Sequence, residues 1–236
     1  MQNNIRTFVV VGIAAFALGA SARAHEGLDV LLLPDFSSGA LRTGSYDDAT
    51  KMVVSENERV FLAEFGEAIP GEPNFADAPG FRALDGAFTP GDQWGFWITD
   101  AVRVWDDVAG HFDTLSTHTI TLGFGPLSAT SATTPGGVVN GFDLTIPAGG
   151  FDDHLDVTLD APAGPEADGI YLLRLSLRAT GLTPSENIWF VYNRGMDEKM
   201  HEAAEEYVRD VLVPSPGGAS VLALFGAAMF RRRRVG

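Results

Sequence analysis

The sequence contains no cysteine, which excludes disulfide staples and any thiol nucleophile. It has no G-x-S-x-G elbow, no H-E-x-x-H and no phosphate-binding G-x-x-x-x-G-K-[ST], so the common hydrolytic and nucleotide-dependent sites have no footing. No segment repeats at a fixed period, which argues against a solenoid or propeller. The acid pairs Asp106-Asp107 and Asp152-Asp153 are adjacent, so on a strand their side chains point apart and do not form a glycosidase pair. Positive charge is scarce, with 16 Lys and Arg against 31 Asp and Glu.

What is present is most informative at the two ends. Arg6, the apolar stretch Phe8 to Ala20 and the small-x-small triplet Ala22-Arg23-Ala24 have the layout of a removable secretory signal, which assigns residues 1–24 to export and starts the mature chain at His25. At the other end, Val213-Pro214-Ser215-Pro216 is followed by the 14-residue apolar run Gly217 to Phe230 and then by Arg231 to Arg234. As a helix that run rises about 21 Å, marginal against a hydrocarbon slab of about 30 Å, and the arginines place its far end on the cytoplasmic side. This order of Pro-containing motif, apolar segment and arginine cluster resembles the PEP-CTERM sorting signal of Gram-negative bacteria, with Ser215 where the usual motif carries Glu. The resemblance implies an exosortase-type processing enzyme as partner. It also implies a transient membrane anchor over 217–230, within residues 213–236, and delivery to the cell surface or extracellular matrix. An anchor that is never cleaved is the alternative.

The two address segments hold six arginines and no acids, so the chain between them carries 10 basic and 31 acidic residues, a net charge of −21. Such a body repels nucleic acid and anionic lipid; divalent cations or an extracellular polysaccharide matrix suit it better, though acidity also simply keeps an exported protein soluble. Without disulfides it must hold together by core burial, and its length suits one domain.

From His25 the body reads as short β-rich runs between Gly, Pro and Asp clusters, which predicts an all-β fold, a single antiparallel β-sandwich over 25–195. Strands are predicted over 29–33, 52–54, 59–65, 93–99, 102–105, 117–124, 142–146, 154–159, 169–177 and 188–192. The 169–177 segment alternates Tyr171, Leu173, Leu175 and Leu177 with Arg174, Ser176 and Arg178, which predicts a central strand with one buried side. Residues 66–90 and 125–141 read as long loops. Over 196–212 the period changes: Met200, Ala203, Ala204, Tyr207, Val208 and Val211 fall on one helical face and the glutamates opposite, an amphipathic helix with Asp197 near its start and Pro214 beyond its end. The apolar tail would be a second, short hydrophobic helix.

Metal chemistry is the one chemistry for which side chains converge. In Phe151-Asp152-Asp153-His154-Leu155-Asp156-Val157, a continuous strand would send Asp152, His154 and Asp156 to one face, where an imidazole and carboxylates ligate a divalent ion such as Zn²⁺. His25, once at the mature N-terminus, offers an amino group and a ring nitrogen to one ion, as copper-dependent polysaccharide oxygenases use. His118, alternating with Ile120 and Leu122, reads as an inward, satisfied histidine, and His201 among glutamates as solvated. Trp94 and Trp97 should face opposite ways, with tryptophan serving the core rather than a sugar.

The stretch from Asp152 to Gly164, with Asp168-Gly169-Ile170-Tyr171 after it, resembles the H-x-H-x-x-W-x-F and G-x-Y segment of choice-of-anchor M type surface domains. Asp152 stands for the first His, Val157 for the Trp and Leu159 for the Phe; His25 with Asp29-Val30 and Gly91-Asp92-Gln93-Trp94 fit the same domain. The resemblance implies a metal role for His154, with Asp152 and His25 beside it. Taken together, the sequence predicts a non-catalytic exported surface or matrix protein. The alternatives are a zinc-binding surface protein and a copper oxygenase acting through His25.

Overall fold

The computed structural model describes residues 27–162, 164 and 167–213. The signal segment, His25 and the apolar tail predicted from the sequence lie outside these residues. The chain runs through β1 (Leu28–Asp35), β2 (Ala40–Asp47), β3 (Met52–Ser55), β4 (Val60–Glu64), β5 (Phe75–Ala76), β6 (Phe81–Ala83), β7 (Gln93–Ile98) and β8 (Arg103–Asp106). It continues through β9 (His111–Leu115), β10 (Thr119–Phe124), β11 (Leu127–Thr130), β12 (Val139–Thr145), β13 (Phe151–Asp153), β14 (Asp156–Asp160), β15 (Gly169–Ala179) and β16 (Asn187–Arg194), and ends in a helix, α1 (Glu198–Tyr207), with a π turn over Val208–Leu212. The fold is mostly β.

The strands form three sheets, ordered β13-β6-β1-β2-β3, β11-β10-β14-β5 and β12-β7-β15-β16-β4, with the β8–β9 hairpin attached to the last through β15. Pairing is not purely antiparallel: β1 runs parallel to β6, and β16 parallel to β4. The two predicted loops are also partly strand. Residues 66–90 supply β5 and β6, and 125–141 supply β11 and the start of β12. A strand of two or three residues carries too few side chains to show a period, so its existence is decided by the neighbour it pairs with.

One apolar cluster draws from all three sheets: Val30 and Leu32 from the first, Ile120, Leu122 and Val157 from the second, Leu173, Leu175, Leu177 and Phe190 from the third. Burying a side chain of this size stabilises the fold by about 1.5–3 kcal/mol relative to leaving it in water. Trp94 lies in this cluster, stacked on Phe151 at 5.0 Å, while Trp97 sits on the opposite face under the Arg178 guanidinium.

β15 is central, between β7 and β16, and its Tyr171, Leu173, Leu175 and Leu177 all face the core. The prediction of one buried side needs correction. Ile170 and Leu172 on the other face join Val60, Leu62, Phe112, Trp189, Val191, Ala204 and Val208 in a second apolar cluster, because β9 and α1 cover that end of the sheet.

α1 starts where Asp197 accepts a hydrogen bond from the Met200 amide at 3.1 Å. The helical period predicted for 197–212 lapses after Tyr207. Wider π winding over 208–212 rotates the chain, so Val208 stays buried and Val211 turns outward, 55% exposed. Arg209 pins this turn to the sheet, pairing with Glu58 and Glu205 at 2.8 Å each and donating to the Val60 carbonyl at 3.1 Å. No helix among the described residues is long and apolar enough to cross a membrane.

Candidate metal centre

The site begins at a break that the sequence does not announce. Asp152 and Asp153 belong to β13 and pair with Arg82 and Phe81 of β6, whereas Asp156 opens β14, which pairs with β10 in another sheet. His154 and Leu155 carry the chain from one sheet to the other. Leu155 is buried in the core, and His154 points out with its side chain 46% exposed. The strand predicted over 154–159 is therefore β14, which starts two residues later at Asp156, with residues 154 and 155 forming the crossover from β13. Asp156, expected beside His154, instead lies exposed opposite Gly123.

What joins His154 is Asp29, at the start of β1. Asp29, Asp152 and His154 each bring one ligand atom within 4.8 Å of the other two, and His154 Nε2 is 3.6 Å from Asp152 Oδ1. His154 Nδ1 lies 2.8 Å from the Asp77 carbonyl oxygen. A ring nitrogen next to a carbonyl must carry the proton and donate it, so the neutral ring keeps its lone pair on Nε2, facing the carboxylates. A carbonyl fixing the tautomer in this way is the usual support of a metal-binding histidine. Tetrahedral zinc with bonds of 2.0–2.2 Å spaces its ligand atoms by about 3.4 Å. The Asp152–His154 pair already meets that spacing.

Gly80 gives the site its closeness. Its amide donates to Asp29 Oδ1 at 3.0 Å, its carbonyl accepts from Val30, and a Cβ built on it would lie 2.8 Å from both Asp29 Oδ1 and His154 Nε2. Arg82, 13% exposed, sits beneath. Its Nε is 3.4 Å from Asp29 Oδ2, its Nη2 bonds Asp48 at 2.6 Å and also Asp152, and its guanidinium lies 4.5 Å over the Tyr46 ring.

The charge does not balance. Four carboxylates, Asp29, Asp48, Asp152 and Asp153, face two cations, Arg82 and Lys51, which leaves two negative charges before the His154 ring is counted. Burial pushes the Asp29 carboxyl up from its ordinary 3.8 and the neighbouring Asp152 charge adds to this, against the pull of His154, the Gly80 amide and Arg82. Asp153 is likewise raised, by burial first and Asp152 also, although Trp94 Nε1 donates to it at 3.3 Å. A divalent cation would supply the missing two charges.

Of the other histidines, His25 lies outside the described residues. His118 stands just before β10 rather than in it, half-buried, edge-on to Tyr171 at 5.5 Å. His201 corrects its prediction outright: it is 0% exposed, with Nε2 2.9 Å from the Val191 carbonyl and Nδ1 2.9 Å from Glu64 Oε1. Burial alone would lower its pKa, but Glu64 and the Val191 carbonyl outweigh that and raise it. Gly80 and Arg82 were not legible as site residues, and Asp29 entered only beside Val30 in the surface-domain resemblance, not as a ligand. Its trace in the residues themselves is an acid heading the apolar run Asp29-Val30-Leu31-Leu32-Leu33, where a strand buried on both sides has no ordinary place for a charge. Comparison with known proteins finds no matching family model, no matching curated protein and no matching solved structure.

Proposed function

We propose that the protein is an exported, non-catalytic surface or extracellular-matrix protein whose β body binds a divalent cation of the zinc class through Asp29, Asp152 and His154. The observation that carries the metal reading is the His154 ring, with Nδ1 committed to the Asp77 carbonyl and Nε2 left to face Asp152 within a group that includes Asp29. An imidazole with two carboxylates suits Zn²⁺ better than Ca²⁺ or Mg²⁺, which prefer oxygen alone. The body acts as a single β-sandwich, a reading supported by the apolar cluster that all three sheets share. Export rests on the ends of the sequence, a secretory signal over 1–24 and a PEP-CTERM-like tail over 213–236. On this reading an exosortase-type enzyme removes the tail after transient membrane anchoring.

Titration calorimetry with Zn²⁺ on the purified exported protein tests the metal. His154→Ala should remove one equivalent of binding, and a variant that takes up Zn²⁺ like the parent ends the proposal. Mass spectrometry of the exported product tests delivery, with ends expected after Ala24 and near Pro216. A full-length cytosolic product would refute it.

A further inference from the structure

We propose a second divalent-cation site, formed by Glu64, Glu198 and His201, that staples α1 to the seven-stranded sheet. It shares no residue with the first. Glu198 and His201 are three apart on α1 and so share a helical face; Glu64 ends β4, beside β16. One ligand atom from each lies within 4.8 Å of the others.

The second observation is the buried ring itself. His201 is wholly enclosed, and Nε2 lies 2.9 Å from the Val191 carbonyl, so Nε2 carries a proton and donates it. Nδ1 lies 2.9 Å from Glu64 Oε1, yet out of line for a hydrogen bond, and is left without a hydrogen-bond partner. With the ring neutral, a lone pair facing a carboxylate oxygen at that distance is repulsive; a proton, which Glu64 and the Val191 carbonyl favour, turns the contact into an ion pair although it does not point along it. A divalent cation bound to both atoms takes that proton's place, and tetrahedral zinc draws the two apart from 2.9 Å to about 3.4 Å. Glu64 Oε1 also accepts from Asn193 Nδ2 at 3.0 Å, the kind of outer hydrogen bond that orients a ligating carboxylate. Two carboxylates and a neutral imidazole match the charge of one divalent ion, and the nitrogen ligand favours Zn²⁺ over Ca²⁺.

The test is made on the purified exported protein carrying Asp152→Asn, which silences the first site, with Zn²⁺ as the probe. Calorimetry should still find one equivalent, and Zn²⁺ should slow hydrogen exchange of the α1 amides at least tenfold. Adding Glu198→Gln, at an exposed position where the fold tolerates it, should abolish both effects while leaving the metal-free unfolding temperature unchanged. If the Asp152→Asn protein takes up no Zn²⁺, if α1 exchange is unmoved by Zn²⁺, or if Glu198→Gln binds like its parent, the site is refuted and His201–Glu64 is an ion pair only. If His154→Ala takes up Zn²⁺ like the parent while Glu198→Gln loses its one equivalent, the first site fails and this one stands.

Discussion

Gly80→Ala separates metal binding from folding. Gly80 does not have a left-handed backbone, so alanine brings no backbone strain there, and the whole effect comes from its new Cβ, 2.8 Å from Asp29 Oδ1 and His154 Nε2. One neighbour must move. The Asp29 side chain is buried and held by the Gly80 amide and Arg82, whereas the His154 ring has solvent on one side, so the ring swings out. That swing gives up the Nδ1 hydrogen bond to Asp77, worth about 0.5–1.5 kcal/mol net, and some strain remains. Metal-free stability should therefore fall by only about 1–2 kcal/mol, the low end of overpacking. Zinc affinity should fall much further in proportion, by about 10–100-fold or more, because Nε2 no longer faces the carboxylates. In free energy that is at least about 1.4–2.7 kcal/mol, lost only when zinc is present. Urea unfolding with chelator and with Zn²⁺, together with calorimetry in a Glu198→Gln background, measures both quantities. Equal destabilisation in the two conditions, with affinity within twofold of the parent, would show that the ring does not face a bound ion.

Other substitutions probe the surroundings. Arg82→Met leaves the buried Asp29 beside Asp152 with no counter-ion, so metal-free stability should drop by about 3–5 kcal/mol. Zn²⁺ should restore part of that loss and bind more tightly, since the guanidinium no longer competes; thermal unfolding with and without Zn²⁺ reads both, and weaker zinc binding would contradict the site. Phe190→Ala removes a ring packed on Phe61, Phe81 and Tyr192 and should cost about 3–5 kcal/mol, seen as a lower urea midpoint at constant slope. A loss below about 1 kcal/mol would mean that the sheets do not share one core. Asp100 is opposed by burial, but the Gly136 amide, Arg174 and Arg103 outweigh it and lower its carboxyl below 3.8. A carboxyl lowered in the folded state stabilises above its unfolded pKa and loses that contribution as pH falls through the folded one. Asp100→Asn should therefore reduce stability at pH 7 by about 1–2 kcal/mol and flatten the acid limb below about pH 4. An unchanged acid limb would refute the assignment.

The sequence shows the strands whose own side chains alternate or run continuously apolar, as in β1 and β16, and misses those that do neither. β15 and β7 are visible because bulky residues recur every second position. β2 is not, because Ala40-Leu41-Arg42-Thr43-Gly44-Ser45-Tyr46-Asp47 mixes turn residues with small polar ones, and its inward Thr43 and Ser45 look solvated although both are buried. Their place in the interior is conferred by pairing with β1, which no local pattern records. His201 misled for the same reason: glutamates surround it in sequence, while in space its neighbours are the Val191 carbonyl and Glu64.

The candidate metal site was half legible, and the break in the chain explains which half. Asp152 and His154 are close in sequence and stay together across the end of β13, so their spacing survives folding. Asp156 obeys the same spacing rule but lies beyond the crossover, where β14 has left for another sheet. Once out of a ladder, His154 has no pleat to aim it. Its ring is aimed instead by the Asp77 carbonyl, from a segment that reads as unstructured, and met by Asp29 from the far end of the chain. A residue freed from strand pairing at a sheet crossover can be turned toward partners from several elements, which a residue inside a strand cannot. The same break that hid the site from the sequence is the physical reason a site can form there.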